Sequence, residues 1–366
     1  MNVKRIGSIA AVALAGALVL SSCAAETPST DPSEPGNETP TLSGTLVGVG
    51  ASAQGSAQEA WIAGFQTANE DANINYSPDG SGAGRDAFRG GGAQFAGTDR
   101  AFNDGEIAED AFATCVPGTD IIELPAYISP IAIAFNLDGI SSLNMDAPTI
   151  ASIFTGAISN WNDPAIASQN AGVTLPDLAI EPVYRADDSG TSENFTDYLA
   201  SAAPAVWTHE ADGEWPIAVG TAAPQTSGVA DALNGNVGTF GYLDASRAGT
   251  LGTVSVKVGD DYVAYSAEAA AAIVDASPFA EGRTEFDFAV EIDRDTTESG
   301  VYPVVLISYV VACVEYQDKS VVDLVKGYLT YVVSAEGQDA AASNAGSAPI
   351  SADFRTKAEA AIAAIK

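Results

Sequence analysis

The sequence predicts an α/β fold with largely parallel sheets, arranged in two lobes. A unit of strand, small-residue loop and helix occurs three times, with loops opening at Gly50, Asp79 and Arg185. Alternation of that kind is the mark of βα units and parallel strand pairing. Size is the second observation: about 325 residues follow Thr41, more than one core usually serves. The third is the apolar run 121–135, which Pro125 and Pro130 interrupt. It reads as two extended segments, and the lobe boundary is placed within it.

Taken in order, residues 42–49 read as the first strand and 50–56, GASAQGS, as a loop. Ala57, Trp61, Phe65 and Ala68 recur at helical spacing, so a helix runs to about Asn69. A strand at 73–76 leads to Asp79-Gly80-Ser81-Gly82-Ala83-Gly84, a glycine-rich loop that opens another helix at Arg85-Asp86. Residues 93–97 form a strand ending at Thr98-Asp99, followed by a helix over 104–115. After 121–135 come a segment at 143–154, the apolar run 178–184 leading into Arg185, and another strand at 238–243. A strand at 301–310 and helices over 319–333 and 352–365 close the chain. Ligands of such folds collect beyond the carboxyl ends of the strands.

The N-terminus sets the compartment. Lys4 and Arg5 precede an apolar stretch, 6–20, that is short for a membrane span, and Leu20-Ser21-Ser22-Cys23 follows. This pattern resembles a bacterial lipoprotein leader, residues 1–22, with lipid attached at Cys23. Residues 24–41 hold four prolines, four acids and no large apolar side chain, so 23–41 is expected to be a lipidated, disordered tether at the extracytoplasmic face of the cell membrane. The formal charge is −33, and loss of the leader removes two cations and no acid. Such a surface argues against nucleic acid as a partner, and any anion site must act at short range through fixed dipoles and hydrogen bonds. With Cys23 lipidated, Cys115 and Cys313 remain as an even pair outside the cytoplasm: a disulfide, or two separately buried thiols.

The most informative segment is Arg185-Ala186-Asp187-Asp188-Ser189-Gly190-Thr191, running into Ser192-Glu193-Asn194-Phe195. Strand, tight loop and helix start together expose unpaired backbone N–H groups at the positive end of a helix dipole, with hydroxyls from Ser189 and Thr191 and a guanidinium fork from Arg185. The same residue types also make an ordinary capped helix after a surface turn. Enzyme motifs are missing: His209 is the single histidine, and no HExxH, paired-cysteine zinc pattern or Gly-x-Ser-x-Gly occurs. Arg85-Asp86 stands where a P-loop needs Lys and Ser or Thr. No metal and no cofactor are expected.

From about residue 42 to 365 the chain resembles the phosphate-binding protein of bacterial phosphate ABC transporters. The resemblance rests on Gly50-Ala51-Ser52, Gly80-Ser81-Gly82, Gly97-Thr98-Asp99, the Arg185 to Thr191 motif, Ile153-Phe154-x-Gly156, Asn160-Trp161-Asn162-Asp163-Pro164 and Gly241-Tyr242. It implies a two-lobed, type II periplasmic-binding-protein-like fold with the ligand in the cleft, lobe I comprising 42–130 and 301–366 and lobe II 131–300. It also implies a non-enzymatic, monomeric protein that binds inorganic phosphate and delivers it to the permease subunits. A secreted phosphatase, or a surface adhesin or sensor on the same fold, is the alternative.

Carried residue by residue, the resemblance assigns phosphate contacts to Ser52 and the N–H of Ala53, to Ser81, and to Ser189, Gly190 and Thr191. Arg185 pairs with the anion while Asp187 holds the guanidinium. Asp99 accepts a hydrogen bond from a proton on the phosphate. The family usually carries a Thr-Phe pair where this chain has Ser52-Ala53, so the hydroxyl is kept and an aromatic ring at the cleft wall is lost.

Overall fold

The computed structural model describes residues 41–109 and 111–366, so the leader, Cys23 and nearly all of the tether lie outside the described residues. Strand β1 (Gly44–Gly50) leads to α1 (Gly55–Ala68), β2 (Ala72–Ser77) to α2 (Ser81–Arg89), and β3 (Phe95–Thr98) to the short α3 (Asp104–Ala108). The long β4 (Ile121–Phe135) follows, then β5 (Ser142–Met145), α4 (Ala147–Phe154) and α5 (Pro164–Ala167). Next come β6 (Glu181–Arg185), α6 (Gly190–Ala202), β7 (Thr221–Ala223), α7 (Gln225–Gly235), β8 (Thr239–Asp244), β9 (Gly252–Val258), β10 (Asp261–Val263) and α8 (Ala267–Ala276). Strand β11 (Val305–Cys313) and helices α9 (Val322–Val333), α10 (Ala335–Ala345) and α11 (Ala352–Ala364) complete the chain. Among the described residues no helix is long and apolar enough to cross a membrane.

The strands run in the order β2-β1-β3-β11-β4-β8-β6-β7, with β5 and β10 joined through β9. The βα units pair in parallel as expected, β1 with β2 and β3, and β6 with β7 and β8. The centre differs from the sequence expectation of a largely parallel sheet: β11 is antiparallel to β3 and β4, and β4 is antiparallel to β8.

Strand β4 is continuous where two segments were expected. Its residues 121–130 pair with β11, and Ile131–Phe135 pair with β8. A proline lacks the N–H that a ladder needs, so it is tolerated only at bulges and edges. Both prolines fall at such places. The register shifts opposite Ser308 and Tyr309, beside Pro125, and Pro130 is the last residue before the strand changes partner.

The helix expected over 104–115 stops at Ala108. Asn103 and Glu106 form a capping box that starts it, but the chain beyond is held by other contacts. Phe112 packs edge-on against Phe102, the Thr114 hydroxyl bonds the Phe88 and Ala93 carbonyls, and Cys115 is in a disulfide with Cys313 across 198 residues. Tertiary anchoring has displaced local helix propensity here. Helices α8 and α10 were not anticipated, because Ala-rich stretches give a weak apolar stripe.

Aromatic side chains fill both halves. Phe65 and Phe95 meet Tyr328 beneath β1 and β3, while Phe154, Phe195, Phe240 and Tyr242 pack together behind β6 and β8. The segments beyond the carboxyl ends of β1, β2 and β3 meet those beyond β6 and β7: Thr226 donates to Ser52, Gly80 lies against Asp187, and Thr191 donates to Asp99.

Candidate functional site

The chain leaves β2 through Gly80, whose φ of +109° suits glycine, and a Cβ there would lie 2.6 Å from Asp187 Oδ2. Ser81 then begins α2, fully buried, and its Oγ accepts the Asp99 N–H at 3.1 Å. Asp99 follows β3 directly and is itself 2% exposed. On the facing side β6 ends at Arg185, and Ser189 caps α6 by accepting the Ser192 N–H at 3.2 Å.

Arg185 is held by its neighbour. Its Nε donates to Asp187 Oδ1 at 2.9 Å and its Nη2 donates to the second oxygen, a two-pronged pair. Asp187 Oδ1 also accepts the Gln225 N–H from the start of α7, at 2.9 Å. From behind, the Tyr242 hydroxyl accepts the Arg185 N–H at 3.4 Å and bonds Ser192 Oγ at 2.6 Å. Burial pushes that phenol up to about 12, so it stays neutral.

The two sides meet at Asp99. Thr191 donates its hydroxyl to Asp99 Oδ2 at 3.0 Å, and Asn194 Nδ2 donates to the Asp99 carbonyl at 2.6 Å. Ser308, from the middle of β11, donates to Oδ1 at 2.7 Å. Gly190 is required between them, since a Cβ would come within 2.7 Å of Asp99 Cβ and of Ser81 Oγ. Burial raises the Asp99 carboxyl above the ordinary range; the Ser308 and Thr191 hydroxyls and the charges of Arg185 and Arg85 oppose that rise. Asp187 moves the other way. Its burial is outweighed by Arg185 and by the Gln225 N–H, which hold it below the usual carboxylate range.

Of the residues expected from sequence, Ser81, Asp99, Gly190 and Thr191 are in one contact group, and Arg185 with Asp187 lies against Gly80 beside them. Ser189 is buried beneath the start of α6. Ser52 is half-buried and bonds Thr226, each hydroxyl 3.0 Å from the other, with the Thr226 N–H also donating to Ser52 Oγ. Ala53 packs into the core. A cavity of about 140 Å3 lies between Ser52, Tyr76, Gln225 and Thr226.

Sequence reasoning missed Ser308, Arg85, Asp188, Asn194 and Thr226. Arg85 donates to Asp188 at 3.2 Å and to Thr98 Oγ1 at 3.1 Å, tying α2 to the Arg185 loop. The signal for Ser308 was a single small polar side chain inside a strand that is otherwise apolar or aromatic and buried along its whole length. Thr226 carried no signal.

Two sets of parallel strands, joined through a shared long strand and presenting polar loops and helix starts to one another, define a two-lobed binding protein with its site in the cleft. The model of the PBP superfamily domain matches residues 35–336. Phosphate-binding protein PstS 3 of Mycobacterium tuberculosis is 32% identical over 377 residues, covering 100% of both chains, and PstS 2 of the same organism is 30% identical over 374 residues with the same coverage. Among solved structures, a high-affinity periplasmic phosphate-binding protein, PfluDING, bound with phosphate, matches with a TM-score of 0.68 at 20% identity, covering 87% of this chain and 93% of that one. The chain belongs to the PstS phosphate-binding proteins of the PBP superfamily.

Proposed function

We propose that this protein binds inorganic phosphate outside the cytoplasm and delivers it to the permease of an ABC transporter, and that it does so as a lipid-anchored monomer. The observation that carries the reading is the pairing of a buried, acceptor-only carboxylate, Asp99, with the donor-rich start of α6 and a clamped Arg185. A carboxylate can only accept, so it favours an anion that brings its own proton. Monobasic and dibasic phosphate have one at neutral pH; sulfate has none, and its lone pairs would face Asp99 at a cost of several kcal/mol or more.

Phosphate contacts are assigned to Ser52, the Ala53 N–H, Ser81, Asp99, Arg185, Ser189, Gly190 and Thr191, with Asp187 supporting Arg185. Lobe I comprises 42–130 and 301–366 and lobe II 131–300, with β4 and the connection before β11 as the crossings. The change of partner that β4 makes after Pro130 supports this division. Closure of the lobes on the anion then presents a surface for the permease. Cys23 carries the lipid. The names of the relatives favour binding over a phosphatase or an adhesin. Equilibrium dialysis with labelled phosphate, competed by excess sulfate, tests the reading: saturable binding that sulfate does not displace is expected, and no binding at micromolar phosphate overturns it.

A further inference from the structure

Behind Asp99 runs a buried line of side chains that the phosphate contacts do not use. The Tyr328 hydroxyl donates to Gln58 Oε1 at 2.6 Å, and Gln58 Nε2 donates to Gln54 Oε1 at 2.8 Å. Gln54 Nε2 then donates to Ser308 Oγ at 3.0 Å, and Ser308 donates to Asp99 Oδ1 at 2.7 Å. None of these side chains is more than 2% exposed. Every proton points the same way, toward the carboxylate.

That polarity is fixed by chemistry. An amide nitrogen only donates, so Gln54 Nε2 occupies the Ser308 oxygen as acceptor and leaves the single hydroxyl proton for Asp99. The Tyr309 carbonyl lies 3.4 Å from the same Nε2; if the amide turned over, two oxygens would face each other there. A hydroxyl donated to each oxygen favours the charged carboxylate, because a protonated oxygen is the poorer acceptor of the Ser308 or Thr191 proton.

We propose that Gln54 and Ser308 are positioning residues that determine specificity, keeping both oxygens of the buried Asp99 as acceptors so that the site demands a protonated anion. The selectivity consequence rests on the phosphate reading above; the effect on Asp99 itself does not. The other groups facing Asp99 are Arg185 and Arg85, which favour its charge, the Tyr76 phenol, which burial keeps neutral, and the uncharged Ser81, Thr191 and Asn194.

Four proteins separate this role from a merely structural one: wild type, Ser308→Ala, Gln54→Glu and Tyr328→Phe. The Glu variant is close to isosteric but reverses the line, since a carboxylate at 54 accepts from Ser308 and draws its proton off Asp99. Carbon-13 NMR of the aspartate carboxyls in ligand-free protein, with the Asp99 signal assigned by Asp99→Asn, reads its titration directly. The expectation is an upward displacement of about one pH unit or more in Ser308→Ala and Gln54→Glu, a tenfold effect fitting the loss of one hydrogen bond to a charged group, and little change in Tyr328→Phe. The preference for phosphate over sulfate at pH 6 should narrow about tenfold in the same two variants. An unmoved Asp99 in both, or an equal displacement in Tyr328→Phe, overturns the proposal. If Asp99 moves as expected while wild type fails to bind phosphate, the line stands and the phosphate reading falls.

Discussion

Thr191, in the first turn of α6, donates its hydroxyl to the carboxylate of Asp99 at the end of β3, 3.0 Å away and 92 residues earlier in the chain. The bond links the two sets of parallel strands through the carboxylate to which anion choice is assigned in the proposed function. Asp99 Oδ2 keeps a second lone-pair site beyond Thr191, so the same oxygen can accept from a ligand without giving up its anchor.

Asp99→Asn replaces one acceptor oxygen by an NH2 donor in nearly the same volume. Phosphate loses the partner for its proton, and sulfate gains a donor. The ratio of sulfate to phosphate dissociation constants should fall roughly 10- to 100-fold, matching the ~1.5–3 kcal/mol of a charged hydrogen bond. Paired titration calorimetry with the two anions measures it, and an unchanged ratio removes Asp99 from the selectivity argument.

Arg185→Lys keeps the charge but gives up the fork that Asp187 grips with both oxygens. The ammonium then has no fixed direction, so phosphate affinity should drop about tenfold or more while the unfolding midpoint changes little. Asp187→Asn should weaken binding in the same sense, because it frees the guanidinium and loosens its hold on the Gln225 N–H. A Lys variant that binds phosphate as wild type does would reduce Arg185 to a simple point charge.

What the sequence made legible was local. The three strand-loop-helix units, the cap at Ser189 and the short-range Arg185–Asp187 pair all lie within a few residues of one another, where spacing and turn chemistry speak directly. What it hid was long-range: Ser308 reaches Asp99 across 209 residues and Thr226 reaches Ser52 across 174, and no periodicity encodes such meetings. Nor did Pro125 and Pro130 reveal that β4 would continue past them. That depended on a bulge and a change of partner, both supplied by β11 and β8.

The disulfide between Cys115 and Cys313 ties the loop after α3 to the end of β11. By limiting the unfolded chain over so long a separation it should stabilise the fold by about 2–5 kcal/mol. The Cys115→Ala, Cys313→Ala double variant should therefore unfold at lower urea, yet retain phosphate binding at 25 °C, since neither cysteine contacts the Asp99 group. Equal urea midpoints for the two proteins would show that the covalent link adds nothing to packing already in place.

Asp244 gives the pH prediction. Its side chain is fully buried at the end of β8, opposite Ile131, where β4 changes partner, and it accepts the Tyr127 hydroxyl at 3.0 and 3.1 Å and the Ser246 N–H at 3.0 Å. Burial pushes the carboxyl up to about 6, the hydrogen bonds from Ser246, Ser129 and Tyr127 only partly opposing it. In the unfolded chain an aspartate titrates near 3.9. Between those values the folded protein holds a proton that the unfolded chain has released, so folding stability from this group increases as pH falls from 7 toward 4. The full change is about 3 kcal/mol. Asn at position 244 is neutral throughout and lacks the dependence. Urea unfolding of wild type and Asp244→Asn at pH 7 and pH 5 should therefore show wild type gaining on the variant as pH is lowered. A difference between them that stays constant across that interval would mean that Asp244 titrates in the folded protein as it does in water.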